Sequence, residues 1–185
     1  MDLNFLSCPR IICKAGSLSQ VGDLVCELGG SRVLLVTDPG IVACGFSEQA
    51  MSSLGAAGIA VEIFDRVAAD PPMAIVSEAV GFAKSFGADA IIGLGGGSSL
   101  DTAKVVALAA ASGQTIDGMI GVGKAIGQRL PLIQIPTTAG TGSEVTSVSV
   151  LTSAKQEKLA VYAPQLLPDI ALLDAALTLG MPRKI

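Results

Sequence analysis

From Leu18 to Leu28 apolar residues recur at helical spacing (Leu18, Val21, Leu24, Val25, Leu28), and Gly29-Gly30 closes the run. The β-rich stretch RVLLVTD, Arg32 to Asp38, follows and stops at Pro39-Gly40, which predicts a helix leading into a buried strand with a turn at its end. The alternation continues with a helix over 47–54, a strand over 59–64 and a turn at Asp70-Pro71-Pro72. A helix over 73–86, a strand over 90–94, a helix over 100–111 and a short strand over 130–135 (LPLIQI) complete it. Strands that alternate with helices predict an α/β fold, a mostly parallel sheet with helices on both faces. After Thr146 the rhythm changes: TSVSVL and EKLAVY flank the polar residues 152–156 and predict an antiparallel β-hairpin. DIALLD, Asp169 to Asp174, is a further strand, and Pro182 suits the first turn of a new helix. The end is thus expected to be cut rather than finished.

Composition sharpens this picture. Half of the 185 residues are hydrophobic but only 3% are aromatic, so the core must be built from Ala, Val, Ile and Leu, the usual filling between helices and a parallel sheet. The length suits one sizeable core. The 12 Lys and Arg are scattered in a chain of net charge −4, which argues against nucleic acid as a partner. No apolar run reaches about 18 residues, and MDLNFLSCPR lacks a basic n-region followed by an apolar segment, so neither membrane span nor signal peptide is expected and the chain reads as cytoplasmic. Cys8, Cys13, Cys26 and Cys44 form no C-x-x-C pair and are expected to be buried free thiols. Histidine is absent, which removes the commonest general base, the Ser-His and Cys-His nucleophiles and any His-based metal site. No residue is assigned as catalytic or as a metal ligand.

Candidate chemistry sits at two strand ends. GLGGGSSLDTAK, Gly93 to Lys104, leaves a strand through glycines and enters a helix. Such a turn offers free N–H groups and the positive end of a helix dipole to phosphate oxygens, with no Cβ in the way. It departs from the usual dinucleotide fingerprint, because Ser98 stands where the third glycine would be, and a structural tight turn remains the alternative. IPTTAGTGSEVT, Ile135 to Thr146, leaves another strand as a run of small hydroxyls, as the wall of a cofactor crevice would. Asp38, at the end of LLVTD, is placed either to accept from ribose hydroxyls, as in Rossmann-like sheets, or to initiate a turn before Pro-Gly. Asp101 reads as a first-turn helix acid and Lys104 as a solvated helix lysine.

GGGSSLDTAK (95–104) and PTTAGTGSEVT (136–146), in this order and at this separation, resemble the iron-containing, or group III, alcohol dehydrogenase family of the dehydroquinate-synthase-like fold. The resemblance covers essentially the whole chain, including the Asp70-Pro71-Pro72 turn, the hairpin and LLDAALTLGMP. It implies that Gly96, Gly97 and Ser98 bind the pyrophosphate of NAD, that Asp38 binds the adenosine ribose and favours NAD over NADP, and that Thr137, Thr138 and Thr141 line the phosphate and nicotinamide side. Lys158, otherwise an exposed hairpin lysine, would reach the cofactor ribose. In the family one Asp and three His hold Fe2+ or Zn2+ in a helical second domain that begins just after the segment resembling LGMP. Residues 1–180 would then be the NAD(P)-binding domain and residues 181–185 the start of the absent metal-binding domain. Asp169 and Asp174 fall before that domain and are not metal ligands. The expectation is the cofactor half of a homodimeric, metal-dependent enzyme acting on a small alcohol or aldehyde, inactive as this chain alone. Alternatives are another enzyme of the same fold, such as a glycerol or hydroxybutyrate dehydrogenase or a maleylacetate reductase, and a stand-alone nucleotide-binding module.

Overall fold

The computed structural model describes residues 6–179. Its elements in chain order are β1 (Arg10–Cys13), α1 (Val21–Glu27), β2 (Arg32–Val36), α2 (Pro39–Ala43), α3 (Phe46–Ala56), β3 (Ala60–Phe64), α4 (Met73–Phe86) and β4 (Ala90–Gly95). There follow α5 (Gly97–Ser112), α6 (Ile116–Met119), β5 (Gly121–Val122), β6 (Leu132–Pro136), β7 (Val148–Thr152), β8 (Lys158–Tyr162) and β9 (Ile170–Leu173).

Six strands form one sheet in the order β1-β9-β6-β4-β2-β3, with every pair parallel. The two-residue side-chain period of the strands sorts their apolar residues onto two cores. Leu34 and Val36 of β2 and Ile91 of β4 pack with α4 and α5, whereas Val33, Leu35, Ile92 and Leu94 pack with α1 and α3. Helices therefore cover both faces, and the fold is the Rossmann-like α/β architecture expected. The hairpin β7–β8 is antiparallel, as expected, and β5 adds a short parallel edge to it.

Chain order reverses between β2 and β4. From β2 the chain steps outward to β3, then returns across β2 through α4 to reach β4. In open α/β sheets the crevice at such a reversal, outside the carboxyl ends of the strands, is where ligands bind.

Several expectations need correction. Pro39-Gly40 does not end the β2 unit as a turn but opens α2, with Pro39 at its first position and Asp38 as its cap. α5 starts at Gly97 rather than Leu100, so no loop intervenes: Gly95 ends β4, Gly96 caps the helix and Gly97 is its first residue. Only Cys8 is buried; Cys13, Cys26 and Cys44 are exposed. Cys13 stands on the edge strand β1, Cys26 on the outward side of α1, and Cys44 closes α2, which buries none of its residues. β1, α6 and β5 were not anticipated, because pieces of two to four residues are too short to show a period. The expected helix at Pro182 and the segment 181–185 lie outside the described residues.

Polar anchors fix the strand ends. Buried Asp174, after β9, accepts from the N–H groups of Gly16 at 2.8 Å, Leu18 at 3.0 Å and Ala176 at 3.0 Å, and so caps two turns at once. Asp169 binds Arg129 through both oxygens and also accepts from Leu132 N at 2.8 Å. Asp89, like Asp169, directly precedes a strand; its partial burial opposes ionisation, but the Ser31 hydroxyl and the N–H groups of Ser31 and Arg32 outweigh it and hold the carboxyl below its usual pKa.

Two outcomes are expected. A Cβ at Gly93 would fall 2.8 Å from the Ala103 Cβ and 3.0 Å from Gln134 Oε1, so Gly93→Ala must push β4 and α5 apart. It should cost about 1–3 kcal/mol in urea unfolding, and an unchanged midpoint would show that the contact has slack. For Asp89 the folded pKa is depressed, so its stabilisation is present above the ordinary carboxylate pKa of about 3.9 and lost as pH falls through the folded value. The stability gap between wild type and Asp89→Asn should therefore be constant near neutrality and close in acid; a gap that persists in acid would mean the ionised carboxylate is not what holds the turn.

Candidate functional site

The carboxyl ends of β2, β4 and β6 are tied together before any ligand is considered. Buried Thr37, just after β2, donates its hydroxyl to Leu94 O at 2.7 Å, and Thr137, just after β6, donates its N–H to Gly95 O at 3.0 Å. Asp38 follows Thr37. Its Oδ1 accepts from the N–H groups of Gly40 at 3.0 Å and Ile41 at 3.2 Å, and its Oδ2 accepts from Ser99 Oγ at 3.1 Å. Asp38 therefore starts α2 as its helix cap rather than initiating a Pro-Gly turn, and it also stands at the reversal in strand order beside the start of α5.

Glycine at the end of β4 is a steric requirement. A Cβ at Gly95 would lie 2.7 Å from Ser99 Oγ and 3.0 Å from Asp38 Oδ2, and its φ of 146° disfavours any side chain. A Cβ at Gly97 would come within 3.1 Å of Thr141 Cγ2, and one at Gly96 within 3.4 Å of Thr138 Oγ1. Gly96 caps the 16-residue α5 without a side-chain hydrogen bond, so the first N–H groups of this helix have no intrahelical acceptor and its positive end meets the crevice. Seven of the eight residues singled out in the sequence, Asp38, Gly96, Gly97, Ser98, Thr137, Thr138 and Thr141, converge at these strand ends; the Thr137 side chain is buried there.

Beside them lies a cleft of about 350 Å³, walled by Gly97, Ser98 and Thr141 on one side and by Asp70, Val148 and Val150 on the other. Lys158 stands at its rim on β8, paired with Asp70 and donating to Thr152 Oγ1 at 3.2 Å. Asp70 N in turn donates to Ser98 Oγ at 3.2 Å, which connects hairpin, Asp-Pro-Pro turn and glycine segment.

Asp101 and Lys104 differ most from expectation. Lys104 is fully buried, not solvated, and its Nζ reaches Asp101 Oδ1 at 3.3 Å, Thr146 Oγ1 at 3.2 Å and Val148 O at 2.7 Å. Asp101 lies one turn inside α5, where its Oδ1 accepts from Ser143 Oγ at 2.5 Å and its Oδ2 from Val150 N at 2.8 Å. The pair pins both the threonine loop and the hairpin onto α5. Burial lowers the pKa of Lys104, and the charges of Asp101 and Glu144 oppose that shift. A signal was present in the sequence: apart from Asp101, Thr102 and Lys104 every residue from Leu100 to Ala109 is apolar, which leaves the lysine little polar face to share. Ser99 was also missed as a partner of Asp38; in sequence it is only a second serine.

The model of the family described as iron-containing alcohol dehydrogenase matches residues 8–175. The chain belongs to this family. The sulfoacetaldehyde reductase of Bilophila wadsworthia is 37% identical over 95% of this chain and 46% of its own length. The NAD-dependent methanol dehydrogenase of Bacillus methanolicus is 37% identical over 97% of this chain and 47% of its own. Among solved structures, a 1,3-propanediol oxidoreductase superposes with a TM-score of 0.93 at 31% identity, over 98% of this chain and 48% of that one. The sulfoacetaldehyde reductase of Bifidobacterium kashiwanohense, in complex with NAD+, superposes with a TM-score of 0.91 at 29% identity, over 100% of this chain and 49% of its own. The chain spans about half the length of the curated relatives it matches.

Among the described residues no group of three or more His, Cys, Asp or Glu could hold a metal ion, and Asp169 and Asp174 are already engaged in structural bonds. No helix among the described residues is long and apolar enough to cross a membrane.

Removing Lys104 leaves the largely shielded Asp101 carboxylate without its counter-charge and Val148 O without its side-chain donor. Lys104→Ala should cost about 3 kcal/mol in chemical denaturation and loosen the 143–150 segment to amide exchange. A loss confined to stability, with protection of 143–150 unchanged, would show that the pair does not hold that segment.

Proposed function

We propose that this chain is the dinucleotide-binding half of an NAD-dependent alcohol dehydrogenase of the iron-containing family. The observation that carries the reading is the convergence, at the reversal in strand order, of an acid at the end of β2, a side-chain-free helix start after β4 and a threonine loop after β6. The NAD of one relative's name and the NAD+ complex of another's structure support it by analogy.

In this reading Gly96, Gly97 and Ser98 hold the pyrophosphate, because three first-turn N–H groups and a hydroxyl approach without obstruction. Asp38 accepts from the adenosine ribose hydroxyls and repels a 2′-phosphate, which favours NAD over NADP. Thr137, Thr138 and Thr141 line the path toward the cleft, where Val148 and Val150 offer an apolar wall to the nicotinamide ring. Lys158 exchanges Asp70 for a ribose hydroxyl. The nicotinamide, when bound, exchanges a hydride with an alcohol or aldehyde; these residues bind it, orient it and shield one side.

Residues 1–180 constitute this cofactor domain. A metal site and turnover require groups beyond this chain, which has no histidine and, among its described residues, no metal-capable cluster. The cytoplasm as compartment and a homodimer as the state of the complete enzyme belong to the same proposal, the latter supported by exposed apolar side chains such as Ile11, Val122 and Ile126. The relatives' substrates differ from one another, so the substrate class is set no more narrowly than a small alcohol or aldehyde.

Thermal denaturation of the chain with a ligand series tests the reading. NAD and ADP-ribose should each raise the melting temperature, by an amount equivalent to about 2.7 kcal/mol at a hundredfold excess over Kd, with NADP weaker. Absence of any shift with NAD and ADP-ribose at millimolar concentrations would refute it for this chain.

A further inference from the structure

We propose that Ser99 is a positioning residue, which locks the carboxylate of Asp38 and through it sets how strongly the site prefers a free adenosine 2′-hydroxyl to a 2′-phosphate. The inference rests on the dinucleotide reading above and adds to it a residue that neither the glycine motif nor the end of β2 singles out.

Asp38 is held from two directions. Oδ1 is fixed by Gly40 N and Ile41 N at the start of α2, while the sole described partner of Oδ2 is the Ser99 hydroxyl at 3.1 Å, in the first turn of α5. Ser99 is 1% exposed, so this hydroxyl is shielded from water. Its place is dictated by Gly95, where an added Cβ would meet Ser99 Oγ at 2.7 Å and Ser99 Cβ at 2.9 Å. Gly95, Ser99 and Asp38 therefore pack as one unit across the reversal between β2 and β4.

Two physical consequences follow for a ligand. A carboxylate already fixed at both oxygens loses little freedom on accepting ribose hydroxyls, so less of the binding free energy goes into ordering it. A charge that cannot swing aside also keeps its full repulsion toward a second phosphate, and discrimination of this kind depends on the repulsive element staying in place. With the hydroxyl removed, both remaining bonds converge on Oδ1. Oδ2 is then free to turn toward solvent, since Asp38 is only half-buried. Binding of NAD weakens while the barrier to NADP falls.

Affinities for NAD, NADP and ADP-ribose, measured by calorimetric titration of the full chain and of Ser99→Ala, Asp38→Ala and the double variant, test this. Ser99→Ala removes one oxygen atom and leaves the glycine packing in place. It should reduce the NAD-to-NADP affinity ratio about five- to tenfold, with no further reduction when Asp38 is already alanine. Equal weakening of both dinucleotides would reveal a merely structural role for Ser99 and overturn the proposal. An equal change of ratio in the Asp38→Ala background would overturn it too, because the effect would not pass through Asp38. If Asp38→Ala itself leaves the ratio unchanged, the assignment of Asp38 fails. If the wild-type chain binds no dinucleotide, both readings fall together.

Discussion

The carboxyl end of β4 has no room for side chains, and the rest of the site follows from that. Gly93 lies against Ala103 and Gln134, Gly95 against Ser99 and Asp38, and Gly97 against Thr141. A Cβ at Gly93 or Gly95 would push α5 away from the sheet, and one at Gly97 would push the threonine loop away from α5, so the glycines let helix, sheet and loop close on one another. The first N–H groups of α5 are thereby brought level with the ends of β2 and β6. A helix start and a neighbouring acid would ordinarily be separated by a layer of side chains; here the glycines remove that layer. The close approach also explains why Ser99, one turn into the helix, can reach an aspartate 61 positions earlier in the chain.

α5 is the element on which both halves of the molecule meet. One side packs on β4 and β6, and the other receives α4 and the hairpin, so almost every position from Ser99 to Ala109 is buried. A helix buried all round gains most of its stability from packing rather than from propensity, which is consistent with a run of small alanines and valines. The two charges it carries, Asp101 and Lys104, stand three residues apart and neutralise each other. A buried ion pair is a weak source of net stability, since desolvation consumes most of the Coulombic gain. It is nevertheless specific in geometry: three acceptors around Lys104 Nζ and three donors around Asp101 define where the loop at 143–146 and strand β7 must lie. The motif Gly-Gly-Gly-Ser-Ser-Leu-Asp-Thr-Ala-Lys thus has two jobs in one helix. Its glycines clear the crevice, and its Asp and Lys fix the wall opposite.

Much of this was legible in the sequence because periodicity and glycine placement are local signals. RVLLVTD and AIIGLG announce buried strands, and the two motifs announce where those strands open, so the α/β fold and seven of the eight residues drawn together were readable without coordinates. What escaped was set by contacts distant in sequence. Asp101 and Lys104 looked like ordinary helix charges because nothing within ten residues of them reveals the hairpin that covers them. Cys13, Cys26 and Cys44 were expected inside on the average behaviour of thiols, yet an edge strand and two helix exteriors put them outside. Pro39-Gly40 looked like a stop because Pro-Gly favours turns; the capping bonds from Asp38 turned it into a helix start.

The same capping bonds bear on how an aspartate can serve a ligand at all. A carboxylate with two N–H donors on one oxygen and a hydroxyl on the other has already satisfied much of its demand for hydrogen bonds, so it is a weaker lone acceptor than a free one. What it keeps is a fixed charge in a fixed place, with lone pairs still open toward the crevice. Such a group suits recognition by difference better than recognition by strength. In the dinucleotide site proposed above it would add modestly to the affinity for a ribose with two free hydroxyls and would penalise a phosphorylated one fully, because repulsion needs only the charge. On that argument the helix cap of α2 and the proposed ligand contact would not be competing uses of Asp38: the cap holds the charge still, and a charge held still is what would discriminate.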